Sequence, residues 1–315
     1  MAMQAMTVLV TGAGGFLGRA VVAELARQGH TVRAGVRRLP DPHHWSAGVQ
    51  PVLCDVDSGA GLADASAGAD AVIHLAAAMG ASAQQQEQVA VEGTRRLLTA
   101  MAPSSRLLLA SSFAVYDWQR VGEVLEEHSP LLADDAAPDV DPYARAKLRQ
   151  ERLARALCAE RGIGLTVLRP ALIWSLQRRD LSCVGPGNAR ARLVLAPGRP
   201  LRLTQVDSCA SAFAAALDPR AAGHTFNIDD ASGVTAGQYA AASGVALRLP
   251  LPLGGFKALA TLAGALLEPL VGAARLPGLL VPARLAARFH PARAGHAALQ
   301  QLLGWQPPAA ATRFH

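Results

Sequence analysis

A chain of 315 residues, 51% hydrophobic and 17% charged, can bury a sizeable core in one large domain or in two that share a cleft. The formal charge of +6 is carried in no long basic run and without interleaved aromatics, which argues against a nucleic-acid partner. Cys54, Cys158, Cys183 and Cys209 form no C-x-x-C pair and His43-His44 has no completing ligand set, so free thiols and no metal site are expected.

"MAMQAM" has no basic n-region or cleavage site, so a secretory signal is not expected and the cytoplasm is the expected location. Strand-like runs follow at Thr7–Val10, Thr31–Val36, Val52–Cys54, Ala71–Leu75, Arg106–Ala110 and Leu165–Leu168, with helical patterns at Phe16–Gln28, Gln84–Met101 and Tyr143–Arg161. This alternation predicts an α/β fold, a parallel sheet covered on both faces over residues 1–170. Residues 171–315 read as a smaller, irregular substrate lobe. Within them, Val206–Leu217 is a helix candidate, and a late strand at His224–Ile228 is expected to return to the first domain.

The segment "VLVTGAGGFLGRAVVAEL" sets Gly12, Gly15 and Gly18 three apart between a strand and a helix. Gly12 suits a tight turn, Gly15 a close backbone approach to a pyrophosphate, and Gly18 close packing of helix on sheet. A nicotinamide dinucleotide is the expected cofactor. Its type is read at the end of the second strand, where "TVRAGVRR" offers Arg37 and Arg38 in place of a carboxylate. Guanidinium suits a 2′-phosphate, so NADP is expected, with NAD as the alternative. Asp55, ending the third strand, suits the adenine amino group.

Thirty residues are lysine or arginine, and the lysines are Lys147 and Lys257 alone. Lys147 lies four after Tyr143, hence on the same helical face. A phenol near pKa 10 is a poor base at neutral pH, and a neighbouring ammonium is expected to bring it toward working pH. Upstream, "LLLASSFAVYD" ends a strand in Ser111-Ser112, where the Ser112 hydroxyl can bond a substrate oxygen.

With these residues in place, the chain resembles the extended short-chain dehydrogenase/reductase family, the NAD(P)-dependent epimerase/dehydratase group. "TGAGGFLG", "HLAA" (74–77), "VEGTRRLL" (91–98), "SSFAVY", "YARAK" and "LRP" (168–170) stand in family order over residues 6–170. "VDSCASAF", "TFNIDD" and "LGWQP" look like its later landmarks. The resemblance implies a doubly wound Rossmann domain over residues 1–170, a bound nicotinamide cofactor, and Ser112, Tyr143 and Lys147 as the catalytic trio. It implies cofactor contacts from Gly12, Gly15, Phe16, Leu17, Gly18, Arg37, Asp55, Leu75, Ala76, Tyr143, Lys147 and Pro170. Phe113-Ala114 replace the acidic pair of sugar-nucleotide dehydratases, and Ala90 stands where the family often has asparagine. "ALIWSLQRRD" resembles the 3β-hydroxysteroid dehydrogenase-like branch.

The expected activity is therefore NAD(P)-dependent hydride transfer to or from a secondary alcohol or ketone, with Tyr143 as acid/base. A sugar-nucleotide epimerase that retains its NAD is the alternative, favoured by Arg190, Arg192, Arg199 and Arg202 as a diphosphate clamp. A non-catalytic NADP-binding sensor is a third reading. Leu249–Pro282 is expected to form short proline-cut pieces that wall a pocket for an apolar small molecule. No membrane-spanning helix is expected, while peripheral membrane contact and a homodimer are compatible with the sequence. The acidic stretch between Tyr116 and Tyr143 reads as a solvated loop.

Overall fold

The apolar run before the first glycine forms β1 (Thr7–Thr11), and the amphipathic stretch after it forms α1 (Phe16–Arg27). Next come β2 (Thr31–Val36), β3 (Val49–Leu53), α2 (Leu62–Ser66), β4 (Ala71–His74), α3 (Ala83–Glu87), α4 (Gly93–Ala100), β5 (Arg106–Ala110), α5 (Pro142–Arg161) and β6 (Gly164–Pro170). The remaining elements are β7 (Leu172–Trp174), β8 (Ala191–Leu195), β9 (Leu203–Gln205), α6 (Val206–Ala215), β10 (Thr225–Ile228), α7 (Ala236–Ala242), β11 (Leu247–Leu251), α8 (Leu253–Val271), α9 (Pro282–Phe289) and α10 (Ala297–Leu303). The structure, a computed structural model, describes residues 4–39, 45–133, 140–272 and 276–308, so His43 and His44 lie outside the described residues.

Seven strands form one parallel sheet in the order β10-β6-β5-β4-β1-β2-β3. The chain starts in the middle, winds to one edge, then crosses back and winds to the other. Alternate residues of each strand face opposite layers. Val8, Val10, Ile73 and Leu108 pack against α1 and α6, and Leu9, Val72, Leu107 and Leu109 pack against α4 and α5. Both faces are thus covered, as near-continuous apolar strands require. The late strand β10 joins the sheet beside β6. Beyond it, Trp174, Val194, Leu203 and Tyr239 form a separate apolar cluster under the parallel pairs β8–β11 and β7–β9.

Three sequence expectations are corrected. The third strand is Val49–Leu53 rather than 52–54, with Pro51 inside it; β3 is a sheet edge, where the missing N–H costs no ladder bond. The single helix expected over 84–101 is two helices joined by a π-turn at Gln88–Glu92. The prolines of Leu249–Pro282 do not cut it into short pieces. Pro269 sits inside the last turn of α8, a continuous 19-residue helix. This helix rests on the body through Leu253, Phe256 and Ala260 and through Gly264, which packs against Leu280, while Leu259, Leu262, Leu266 and Leu270 are 60–79% exposed. By length and composition it could cross a membrane.

Candidate active site

The glycine loop joins β1 to α1. Gly12 has φ +68°, and a Cβ there would sit 2.9 Å from the Ala76 backbone at the end of β4. A Cβ on Gly18 would strike the Gly12 carbonyl oxygen and lie 2.8 Å from Ala13 O, so only glycine lets α1 seat against the loop. Gly15 begins α1 with no side-chain cap and no acidic residue in the first turn. Its N–H groups and positive dipole end therefore suit an anion. The cleft above this loop has a volume of about 1400 Å³, and every residue expected to contact a cofactor lines it, from Gly12 to Pro170. Arg37 and Arg38 line it at the end of β2. Asp55 also lines it, but its carboxylate already accepts bonds from the Asp57 N–H and the Ser58 hydroxyl. The loop and the arginine pair fit a dinucleotide pyrophosphate and a 2′-phosphate.

Ser112, Tyr143 and Lys147 line the same cleft. Ser112 follows β5 and caps the short 3-10 turn Phe113–Val115. Asp141 caps α5 by accepting from Tyr143 N–H at 2.9 Å, and Pro142 starts the helix where a missing N–H is harmless. Tyr143 and Lys147 thus face the cleft from the first two turns. Tyr143 is hydrogen-bonded to Ser112. Burial, against the pull of that bond, pushes the phenol up to about 12, and Asp141 adds to the rise. The phenol is thus raised rather than brought toward neutrality as expected, with burial as the largest cause. Lys147 Nζ donates to Ala110 O at 2.7 Å and to Gln150 Oε1 at 2.9 Å, and burial brings it down to about 8.

Beneath the trio lies polar structure that sequence reasoning missed. Glu151, buried on α5, takes a bidentate pair from buried Arg169 at 2.9 and 2.7 Å and a bond from the Ser111 hydroxyl. Arg169 also donates to Tyr116 Oη at 2.9 Å, and Tyr116 donates to Asn227 Oδ1 at 2.7 Å. Burial lowers Arg169, but the bonds and charge of Glu151 outweigh it and hold the guanidinium above its ordinary value. The available signal was spacing: Gln150 and Glu151 are three and four residues after Lys147, on its helical face.

At the far end the cleft is lined by Trp118, Leu201, Arg199, Arg202, Arg284 and Arg288. Among the described residues of Leu249–Pro282 only Gly278 lines it, so they do not form the expected apolar wall; α8 packs on the outside. Of the four arginines expected as a clamp, Arg190 is exposed and Arg192 donates to the carbonyls of Leu181, Gly185 and Gly187. Arg199 and Arg202 do line the cleft. Arg202 stacks 4.1 Å over Trp118 and donates to the carbonyls of Ala287 and His290. Arg199 donates to Cys183 O, and its buried Nε has no partner among the described residues. In the acidic stretch Glu123 and Glu126 are exposed, but Glu127 is not a free loop carboxylate. It accepts from Asn227 N–H at 2.9 Å and its carbonyl accepts from Arg169. Asp134, Asp135 and Asp139 lie outside the described residues.

Known proteins match this arrangement. The NAD dependent epimerase/dehydratase family model matches residues 8–229. A 2-alkyl-3-oxoalkanoate reductase of Stenotrophomonas maltophilia is 32% identical over 229 residues, 69% of this chain and 67% of that protein. Cinnamoyl-CoA reductase 1 of Petunia hybrida is 31% identical over 179 residues, 53% of this chain and 54% of that protein. The chain spans about half the length of the first curated relatives it matches. A short-chain dehydrogenase/reductase superfamily protein from Agrobacterium tumefaciens, solved with bound NAD, superposes with a TM-score of 0.68 at 22% identity over 98% of this chain and 94% of that one. The seven-stranded parallel sheet, the glycine loop and the matched span place the chain in the NAD-dependent epimerase/dehydratase family, whose enzymes are reductases, dehydrogenases and epimerases.

Proposed function

We propose that the chain is an NADPH-dependent reductase of a ketone that carries an anionic group, with a 3-oxo acid as the class to test first. The observation that carries the reading is the meeting of Ser112, Tyr143 and Lys147 with the glycine loop, buried Arg199 and half-buried Arg202 in one cleft. When bound, the nicotinamide supplies the hydride, and the protein orients it. Tyr143 gives its proton to the carbonyl oxygen. Burial keeps that proton on the phenol through neutral pH, which suits an acid in the reducing direction. Ser112 donates to the same oxygen as charge develops there.

Arg37 and Arg38 support NADP, because the end of β2 offers cations and no carboxylate. Arg199 and Arg202 support an anionic substrate. Burial lowers Arg199, and burial, followed by repulsion from Arg199, lowers Arg202 to about 10. An anion between them would relieve both. The Stenotrophomonas relative is named for reduction of a 3-oxoalkanoate, which joins a ketone to a carboxylate.

The test is NADPH oxidation by purified protein with 3-oxo acids and with their neutral methyl ketones. Stoichiometric oxidation with the acids, lost in Tyr143→Phe and Lys147→Arg, is the expected result. Cofactor held tightly and never consumed, with conversion of a sugar nucleotide, would replace this reading with the epimerase.

A further inference from the structure

The Lys147 ammonium has three protons, and its surroundings dictate where two of them go. One meets Ala110 O at the end of β5 and another meets Gln150 Oε1, one turn along α5. The Gln150 amide is itself pinned, since its Nε2 donates to Thr94 Oγ1 at 2.7 Å. Thr94 has a single hydroxyl proton, which goes to Ala90 O at 2.6 Å. Its oxygen can therefore only accept from its other two neighbours, Gln150 Nε2 and His74 Nε2, the latter at 3.0 Å. His74 is then the Nε2–H tautomer, and its Nδ1 accepts from the Thr11 hydroxyl at 2.7 Å. Thr11 and His74 are register partners across β1 and β4, so this end of the chain is fixed by the sheet.

The same proton count forbids a flipped Gln150. Turned around, its carbonyl would meet a hydroxyl oxygen with no proton to offer, and its NH₂ would face an ammonium. We propose that Gln150 is the positioning residue of the Lys147 ammonium: with Ala110 O it takes two protons and leaves the third aimed into the cleft. The inference rests on the reading of Lys147 as the ammonium of the reaction. Thr94, His74 and Thr11 act through Gln150, anchoring it to the strand that opens the glycine loop.

The titratable groups around Lys147 agree with this role. Burial lowers the lysine, and Glu151 on its own helix raises it. His74, facing from β4, is neutral, because burial first and the Lys147 charge second hold it at about 3. Tyr143, one turn earlier, keeps its proton. An oriented neutral acceptor at 2.9 Å adds a hydrogen bond that favours the charged amine.

With Lys147 and Lys257 the only lysines, NMR titration of protein carrying isotope-labelled lysine side chains reads the amine directly, with Lys257→Arg assigning the signals. It is run on purified protein with and without NADPH. Gln150→Leu is expected to lower the Lys147 midpoint by about one pH unit or more, and Gln150→Glu, which keeps an acceptor and adds charge, to raise it. Thr94→Val, which unpins the amide, moves it the same way as leucine by less. The alkaline limb of the pH–rate profile should move in step, with kcat in Gln150→Leu down about twofold at pH 7 and about tenfold at pH 9, and KM for NADPH little changed. Melting curves establish that each variant is folded. A midpoint unmoved in both Gln150 variants overturns the proposal. A shifted midpoint together with full turnover by Lys147→Arg would sink the reductase trio and still leave Gln150 holding the lysine.

Discussion

Replacing Glu151 by glutamine removes one charge and changes no volume, so its cost isolates what the carboxylate does. Glu151 is 1% and Arg169 2% exposed, and the two share bonds of 2.9 and 2.7 Å. Glutamine can accept from only one side, so the guanidinium is left buried without its counter-charge. Breaking such a pair from one side costs about 3–5 kcal/mol. At about 2 °C per kcal/mol for a chain of this size, the melting temperature should fall by about 6–10 °C. The comparator is Arg155→Ala. Arg155 lies 3.8 Å from the same carboxylate with its side chain 44% exposed, and its loss should cost less than about 1 kcal/mol. Thermal and urea unfolding of both variants, followed by circular dichroism, measures the difference. If Glu151→Gln is no less stable than Arg155→Ala, the buried pair is not what holds β6 to α5, and the reasoning fails.

Gly18→Ala should abolish cofactor binding in a fluorescence titration, because the new Cβ meets the Gly12 and Ala13 carbonyls, main-chain atoms that cannot step aside. Tyr143→Phe should reduce NADPH oxidation by about 100-fold or more while cofactor affinity stays within about twofold. The pH dependence of stability follows from His74, which burial and Lys147 hold at about 3 against an ordinary 6.5. Between those values the unfolded chain binds a proton the folded chain refuses, so its contribution is present above pH 6.5 and is lost as pH falls toward 3. His74→Gln should flatten that part of the stability curve, measured by urea unfolding from pH 7 to pH 4. On α8, Leu262→Glu and Leu266→Glu should leave unfolding within about 0.5 kcal/mol of wild type, because both leucines are already 60–66% exposed; a large loss would mean that this face is covered in solution.

The sheet was legible because its evidence is local. Apolar runs ending in glycine, serine or proline mark parallel strands, and the helical period between them places the crossovers, so β1, β2, β5 and β10 fall within a residue of expectation. The glycine spacing and the scarcity of lysine likewise carry chemical information within a few residues. What lay beyond the sequence depends on partners far apart in the chain. Gln150 meets Thr94 across 56 residues and Arg169 meets Tyr116 across 53, and neither pairing leaves a periodic trace. Whether an apolar stretch walls a pocket or faces outward is also not written in its composition. Leu249–Pro282 is apolar, yet α8 meets the body along one side, through Leu253, Phe256, Ala260 and Gly264, while Leu259, Leu262, Leu266 and Leu270 point away. The ionisation of Tyr143 likewise rests on the fold. Four-residue spacing puts the lysine on its face, but only the folded structure shows Lys147 committed to Ala110 and Gln150, and the phenol governed by burial.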